Sequence, residues 1–451
     1  MADAQTQTLT AALVAQASAV RYDALPDDVR ALARQCALDT LGCALAGAGE
    51  ELTRVLLADL ADDGGKPAAT IIGHGARLPA PAAAMVNGAA GHALDFDDVN
   101  MAMPGHPSVA ILPGLLALAE TRGSSGADVI AAFVAGYELA CRVGRLIAPG
   151  HYDQLGFHAT ATVGAIGAAG ACAHLLGLDE RRFATALGIA ATQAAGLKSM
   201  FGTMCKPLHA GTASSNGLRS ARLAARGFTS RTDALECAQG FARTHSPDFH
   251  PEFALAEPSN GYHIRYNLFK YHAACYLTHA PIEAARGLRA QHHLTPDRVE
   301  RIHLTMNEAC DRVCNILAPS TGLEAKFSLR QTVAMALSGI ETGALASFSE
   351  ASAGDPRLVA LRERVEIDFV PRGAHTLADL QLTLTDGTVL TARHDSGVPA
   401  DDVALQGGRI AAKFAALAEP VIGARAGDLA GVVERLDTLD DVRALMTLCA
   451  A

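Results

Sequence analysis

The segment between Asn87 and Ser108 concentrates acidic and histidine side chains among residues that are otherwise small or apolar. It reads NGAAGHALDFDDVNMAMPGHPS and contains His92, Asp95, Asp97, Asp98 and His106. Burying a carboxylate is costly unless it is paired or used, so such a cluster is typical of a polar cleft that transfers protons or binds a metal. This segment is the first candidate for a functional site.

The acidic residues of this segment permit three interpretations. In the first, Asp95 is a general base while another aspartate orients a histidine or caps the next helix. In a structural interpretation, Asp97 and Asp98 are solvated caps and only Asp95 is special. In the third, His92, Asp95, Asp98 and His106 bind a divalent metal, although their spacing matches no established ligand signature.

Lysine is scarce in this chain, which makes its positions informative. Only six of the 37 basic residues are lysine, which leaves 31 arginines. We expect lysine where a compact ammonium with a tunable pKa cannot be replaced by a planar guanidinium. Lys206, Lys270 and Lys326 lie in His-rich or Gly-rich segments and are therefore site candidates, with ordinary surface lysines as the alternative.

Two further histidines are predicted near the starts of helices rich in small residues. His158 follows Gly156 in GFHATATVG, where a helix N-terminus would lower the imidazole pKa and allow acid or base chemistry near neutrality. A buried structural histidine is the alternative. Lys206 and His209 precede the second helix, whose first amides, around His209 to Gly211, favour a carboxylate or phosphate.

The segment LFKYHAACYLTHAPIEAA contributes further candidates. On a predicted helix over 272–290, Cys275 and His279 share a face and could form a nucleophilic Cys–His pair. No recognised nucleophile signature surrounds them, which argues against this interpretation. Lys270 is favoured as a clamp for a ligand. Lys326, in EAKFSLRQTVAMALSG, belongs to a weaker set that a capped helix would also explain.

Composition narrows the class of protein. The chain has 451 residues, half of them hydrophobic, with no tryptophan and 5% aromatic residues, which favours close-packed helices. A net charge of −10 argues against nucleic acid and anionic membranes as partners. The uncharged run 159–178 is diluted by threonine and glycine and is predicted as a buried helix rather than a membrane span.

The N-terminus and the cysteines predict a cytoplasmic location. MADAQTQTLTAAL has neither a basic region nor an apolar stretch with a cleavage site, which argues against secretion. The ten cysteines are scattered without a CxxC pair, so reduced thiols are expected.

Hydrophobic periodicity predicts a helical first half. The helix predicted from Pro26 to Ala48 has proline and acids in its first turn and glycine near its end. Further helices are predicted at 6–19, 79–94, 107–121, 126–146, 158–177, 180–195 and 209–226.

Period-two alternation predicts strands later in the chain, at 299–307, 364–370, 378–387 and 388–395, with Asp386-Gly387 as a hairpin signal. Helices are expected at 272–290 and 326–340, and again from Asp401. We therefore predict a mainly α protein: a discontinuous helical domain (1–266 and 401–451) with an inserted, smaller α+β domain (267–400) and a cleft between them.

Five separated segments, in order, resemble one family. They are NGAAGHALDFDD with GHPS, GFHATATVGAIGAAGACAHLLGL, MCKPLHAGTASSNGLRSARLAARGFT, FKYHAACYLTH and EAKFSL. Together they are similar to the MmgE/PrpD family, which includes 2-methylcitrate dehydratase, cis-aconitate decarboxylase and iminodisuccinate epimerase. The resemblance covers nearly the whole chain.

The resemblance implies a helical domain built from both chain ends, an α+β lid, a homodimer, and chemistry on a small di- or tricarboxylate without metal or cofactor. By motif, Asp95, His106, His158, Lys206 and Lys270 match positions that the family uses around its substrate. We expect His209, Gly211, Cys275 and Lys326 to assist substrate binding. The decarboxylase pattern has a histidine where this chain has Cys275, so dehydration is favoured over decarboxylation.

The expected chemistry begins with proton removal from a carbon beside a carboxylate, which creates an enediolate-like dianion. Such a site needs a base and fixed cations, roles that suit a histidine with Asp95 and the two lysines Lys206 and Lys270. A dehydratase is the first expectation and an epimerase the second. A metal-dependent hydrolase and a non-catalytic binding protein are alternatives from other classes.

Overall fold

The computed structural model describes residues 8–450. The expectation about a secretion signal, and the first residues of the helix predicted at 6–19, lie outside this range. The described chain divides into two compact units. One contains the residues up to Phe269 together with those from Asp401 onward, and the other spans Lys270–Ala400.

The first unit is dominated by helices, most of which the hydrophobic periodicity predicts. Before residue 270 they are α1 (Leu9–Ser18), α2 (Asp27–Gly47), α3 (Glu51–Asp62), α4 (Ala80–His92), α5 (Pro107–Arg122), α6 (Gly126–Ile147), α7 (Gly150–Asp153), α8 (Ala159–Leu175), α9 (Glu180–Ala191), α10 (Cys205–Ala225), α11 (Phe241–His245) and α12 (Pro251–Leu255). The short strands β1 (Ala69–Thr70) and β2 (Arg77–Leu78) pair antiparallel. The periodicity did not predict α3, the short helices α7, α11 and α12, or the strands β1 and β2.

Small residues let these helices approach one another closely. A Cβ atom on Gly211 of α10 would lie 2.1 Å from the Met85 carbonyl oxygen of α4. One on Gly88 of α4 would lie 2.8 Å from the Gly211 Cα atom. Glycine at both positions therefore allows backbone contact between α4 and α10, which carry candidate residues at their ends.

The second unit combines short helices with one sheet. Its helices are α13 (His279–His292), α14 (Asp311–Cys314), α15 (Gly322–Ala325), α16 (Leu329–Leu337), α17 (Glu350–Ala353) and α18 (Pro356–Arg362), and its strands are β3 (Val299–Asn307), β4 (Val365–Val370), β5 (Leu377–Leu384) and β6 (Val389–Asp395). The strand order is β4-β3-β5-β6, with β3 and β4 parallel and the other pairs antiparallel. The β5–β6 turn contains Gly387 at φ +83°, as the hairpin signal requires.

The chain then returns to the first unit with α19 (Val403–Ile422), α20 (Arg425–Glu434) and α21 (Arg443–Leu448). The expectation of a mostly helical protein with a small mixed sheet in the C-terminal region is confirmed. The uncharged run 159–178 forms α8, whose residues 159–173 are all buried. Within the described range, no helix is both long and apolar enough to cross a membrane.

Two predicted helix starts were wrong. Helix α10 begins at Cys205 rather than 209, and α13 begins at His279 rather than 272. Pro207 and Pro281 explain both errors, because each is the third residue of its helix, where proline is tolerated. Cys275 consequently lies outside a helix and does not share a helical face with His279.

Candidate active site

The loop that joins α4 to α5 carries the acidic residues. Helix α4 ends at His92, and α5 starts with Pro107 in its first turn, directly after His106. Between them, Asp95 has φ +51°, which is uncommon for a residue other than glycine. The Asp95 side chain is 38% exposed, whereas Asp97 is fully buried. Such strained backbone often occurs at functional sites.

Asp97 lies between two histidines. Its Oδ1 atom is 2.9 Å from Nδ1 of His92. Its Oδ2 atom is 3.1 Å from Nδ1 of His106, at a less favourable hydrogen-bond angle. Burial alone would raise the pKa of Asp97, but the imidazoles of His106 and His92 hold that pKa well below its usual range. An ionised Asp97 only accepts hydrogen bonds, so it favours a proton on Nδ1 of each ring.

This proton arrangement leaves Nε2 of each ring as the basic atom. Burial lowers the pKa of His92 to about 4, so that ring is neutral near pH 7. Among the described residues, His92 Nε2 has no hydrogen-bond partner. His106 Nε2 lies 3.6 Å from Asp95 Oδ1, beyond hydrogen-bond distance. His106 therefore combines an oriented ring with an available basic nitrogen.

Lys206 brings a cation to the same loop. It lies in the first turn of α10 and donates a hydrogen bond of 2.6 Å to Asp95 Oδ1. Its ammonium has three donors, so two remain beyond the Asp95 bond. The Phe201 ring, 38% exposed, lies 5.2 Å from Lys206 Nζ.

His158 and His209 form a second imidazole pair. His158 directly precedes α8, and its Nδ1 lies 3.2 Å from Nδ1 of His209. The His158 ring also stacks on His92 with centroids 5.8 Å apart. Burial lowers the pKa of both members, and His158 falls well below its usual value. The predicted direction for His158 is confirmed, but burial rather than the helix N-terminus is the main cause.

Asp98 differs from its neighbour Asp97. It is also fully buried, but it accepts hydrogen bonds of 2.5 Å from Ser108 Oγ and 2.9 Å from Asn267 Nδ2. Burial, together with the charges of Asp39 and Asp97, raises the pKa of Asp98 to about 7. The interpretation of Asp97 and Asp98 as solvated caps was therefore wrong.

The loop also presents a possible set of metal ligands. Ligand atoms of His92, Asp95, Asp97 and His106 all lie within 4.8 Å of one another. The fourth member of this ligand set is Asp97, whereas the sequence interpretation named Asp98 as the fourth ligand. The Lys206 ammonium already lies beside Asp95, and a cation bound there would compete with it.

The predicted anion site on the amides around His209 to Gly211 was wrong. Since α10 begins at Cys205, these amides lie inside the helix, where backbone carbonyls accept them. Gly211 is buried against α4, so its role is helix packing. His209, by contrast, lies beside His158 through its side chain.

Three candidates belong to the second unit. Lys270 is its first residue and is 2% exposed. Cys275 is half-buried, and its amide donates to the Lys326 carbonyl at 3.0 Å. Lys326 occupies the C-cap position of α15, and the capped helix that the structural alternative expected is α16, whose N-cap is Ser328. A substrate role for these three residues stays a prediction.

In the sequence, His92 stands out only as a possible metal ligand of the cluster and Asp97 as a possible solvated cap, and neither has a specific catalytic role. Asp97 emerges as the carboxylate between two rings, and His92 as a ring that stacks on His158 and contacts His106 edge-on. A usable signal existed: His92 lies near the end of the helix predicted at 79–94, five positions before Asp97. The interpretation that one aspartate orients a histidine fits Asp97.

Both ends of the chain match family models. Residues 11–254 match the MmgE/PrpD N-terminal domain, and residues 272–438 match the MmgE/PrpD C-terminal domain. A human cis-aconitate decarboxylase is 30% identical over 94% of this chain and 91% of its own. A cis-aconitate decarboxylase from Aspergillus terreus is 30% identical over 71% of this chain and 70% of its own. A 2-methylcitrate dehydratase from Cupriavidus necator is 28% identical over 79% of each chain.

Proposed function

The chain belongs to the MmgE/PrpD family, and on that premise we propose that it is an enzyme that moves a proton at a carbon beside a carboxylate of a small di- or tricarboxylate. The reaction we propose first is dehydration of a citrate-like substrate. The observation that carries the proposal is the Asp97 carboxylate between two histidines, next to the Asp95–Lys206 ion pair.

In the proposed mechanism, His106 Nε2 is the base. Asp97 orients the ring through Nδ1 and stabilises the imidazolium that forms when His106 accepts the proton. The remaining donors of Lys206 bind the substrate carboxylate, where negative charge develops as the proton leaves. Lys270 is proposed as a second carboxylate ligand on the family resemblance.

Dehydration also needs an acid, because the departing hydroxide must leave as water. The His158–His209 pair is proposed for this step: the half-buried His209 can take up a proton from solvent, which would then lie between the two Nδ1 atoms, and the lowered pKa of both rings makes the protonated pair a strong proton donor. Two separate histidine sets favour a reaction with two proton transfers. We therefore place dehydration before decarboxylation, which consumes a single proton at carbon.

Decarboxylation of an unsaturated tricarboxylate is the second candidate. The similarity to proteins named cis-aconitate decarboxylase, which extends over nearly the whole chain for the human protein, supports it. Here the same histidines would protonate carbon while a carboxylate leaves as carbon dioxide.

One experiment separates these reactions. The purified chain is incubated in deuterated water with 2-methylcitrate, citrate, cis-aconitate and iminodisuccinate, and the products are identified by NMR. Loss of water supports the dehydratase, release of carbon dioxide supports the decarboxylase, and deuterium exchange without net loss indicates an epimerase. Absence of both exchange and turnover across the panel would contradict the proposed function.

A further inference from the structure

A buried lysine from the C-terminal segment contacts the loop that joins α4 to α5. Lys413 lies on α19, which packs against α2, and is 8% exposed. Ammonium groups are rarely buried unless they are paired, so its partners require an explanation.

The partners of Lys413 are specific. Its Nζ atom donates a 2.6 Å hydrogen bond to the carbonyl oxygen of Phe96, the residue between Asp95 and Asp97. It also forms an ion pair of 2.6 Å with Asp39 Oδ1 on α2. The Phe96 ring lies 4.0 Å from the ammonium, a cation–π distance. One cation thus holds both the backbone and the side chain of a single loop residue.

The surroundings of Lys413 are strongly acidic. Asp39, Asp97 and Asp98 are each 2% exposed or less. Cys43 also acts on the ammonium. Cys36 and Asp39 act on Asp98, and His92 and His106 act on Asp97. Burial is the largest single influence and lowers the pKa of Lys413, but Asp39, Cys43 and Asp97 together outweigh it and raise that pKa. The ammonium is thus a positive charge close to two buried carboxylates, those of Asp39 and Asp97.

We propose that Lys413 is a positioning residue, which holds the Phe96 carbonyl and keeps Asp95 and Asp97 in the geometry and charge that the histidines need. This inference rests on the proposed function. A buried ion pair by itself adds little net stability over an apolar pair of similar volume. The specific effect of Lys413 is therefore on the loop.

The main test uses the double variant Lys413→Met/Asp39→Asn, which removes the pair without leaving one charge buried alone. We expect a folded protein with kcat lowered about 10-fold to 100-fold and KM changed less than about 3-fold, because the loop is displaced while Lys206 is retained. The acid limb of the pH–rate profile should also move, because displacement of the loop changes the contact between Asp97 and His106, although the variant removes one positive and one negative charge together. A folded double variant with unchanged kcat and pH profile would overturn the proposal.

Lys413→Arg provides a second test that keeps the charge while moving the donors. It should lower kcat but leave the acid limb where it is in the unaltered protein, and a shift like that of the double variant would contradict the proposal. Arg142→Met is the matched control. Arg142 is also a buried cation bonded to backbone carbonyls and a carboxylate, at Ala254, Ala256 and Glu257. Its loss should lower stability without moving the acid limb.

An activity-independent measurement separates this inference from the proposed function. Imidazole NMR titration of His92 and His106 is recorded for the unaltered chain and the double variant. A shift of either titration on loss of Lys413 supports the positioning role even if no panel compound is turned over. Identical titrations would count against the role even in an active enzyme.

Discussion

Each unit contains a cluster of histidines with a carboxylate, and the two clusters differ in how their ring nitrogens are used. In the second unit, His272 accepts a 2.7 Å hydrogen bond from Thr342 Oγ1 at Nδ1, and its Nε2 lies 3.1 Å from Glu283 Oε1. His279 packs edge-on against it, with centroids 4.9 Å apart. Both nitrogens of His272 are thus occupied by protein groups.

The first unit uses the same residue types differently. Asp97 occupies one nitrogen of His92 and lies beside one nitrogen of His106. Within residues 8–450, Nε2 of His92 has no hydrogen-bond partner, and Nε2 of His106 lies 3.6 Å from its nearest carboxylate oxygen. A histidine with both nitrogens occupied supports structure, whereas an oriented ring with one open nitrogen can transfer a proton. This difference suggests which cluster performs the chemistry.

The largest expected effect comes from Asp97→Asn. An amide can donate to the histidines, which favours the wrong tautomer, so we expect kcat to fall about 10³-fold or more with a folded protein. Steady-state kinetics on the active panel compound, with circular dichroism, measure this. Glu283→Gln is the matched change in the other cluster and should alter kcat less than about 3-fold. Equal losses in the two variants would remove the distinction between the clusters.

Asp98→Asn tests whether two adjacent aspartates have opposite roles. The pKa of Asp98 is raised from 3.8 to about 7 in the folded state. Its contribution to stability is therefore fully present below pH 3.8 and is lost as pH rises through about 7. Relative to Asp98→Asn, the free energy of unfolding of the unaltered protein should fall by about 4 kcal/mol across this window.

Denaturant unfolding at several pH values measures this difference. In the same variant kcat should stay within about 10-fold of the unaltered value, because Asp98 contacts Ser108 and Asn267 rather than a histidine. A pH-independent difference in stability would contradict the raised pKa.

Thr342→Val tests whether the histidine cluster of the second unit contributes to stability rather than to catalysis. Thr342 is fully buried, and its loss leaves His272 Nδ1 without its hydroxyl partner. We expect the free energy of unfolding to fall by about 1–3 kcal/mol with little change in kcat. A variant of normal stability with greatly reduced turnover would instead give the second cluster a catalytic role.

Metal removal should have the smallest effect. The Lys206 ammonium lies 2.6 Å from the Asp95 oxygen that a metal would use, so proton chemistry needs no further cation there. Activity after treatment with a chelator should change less than about 2-fold. A loss that a divalent metal restores, with stoichiometric metal by elemental analysis, would favour the metal-dependent alternative.

Part of the site could be predicted because its signals are local. Asp95 and His106 stand out within one short segment, and Lys206 stands out because lysine is rare. The structure brings these three together, and places His158 with His209 beside His92. The pairing of Asp97 with both rings could not be predicted, because it depends on the turn after His92 and the positive φ of Asp95.

The sequence by itself determined the helical character, the four strands and the residue types of the site, because periodicity, capping and composition act over a few neighbouring positions. Only the tertiary structure decided the protonation chemistry. Asp97 and Asp98 are adjacent and equally buried, yet their pKa values shift in opposite directions because one faces histidines and the other faces carboxylates. Lys413 reaches the loop from more than 300 positions away, and only folding brings the two together.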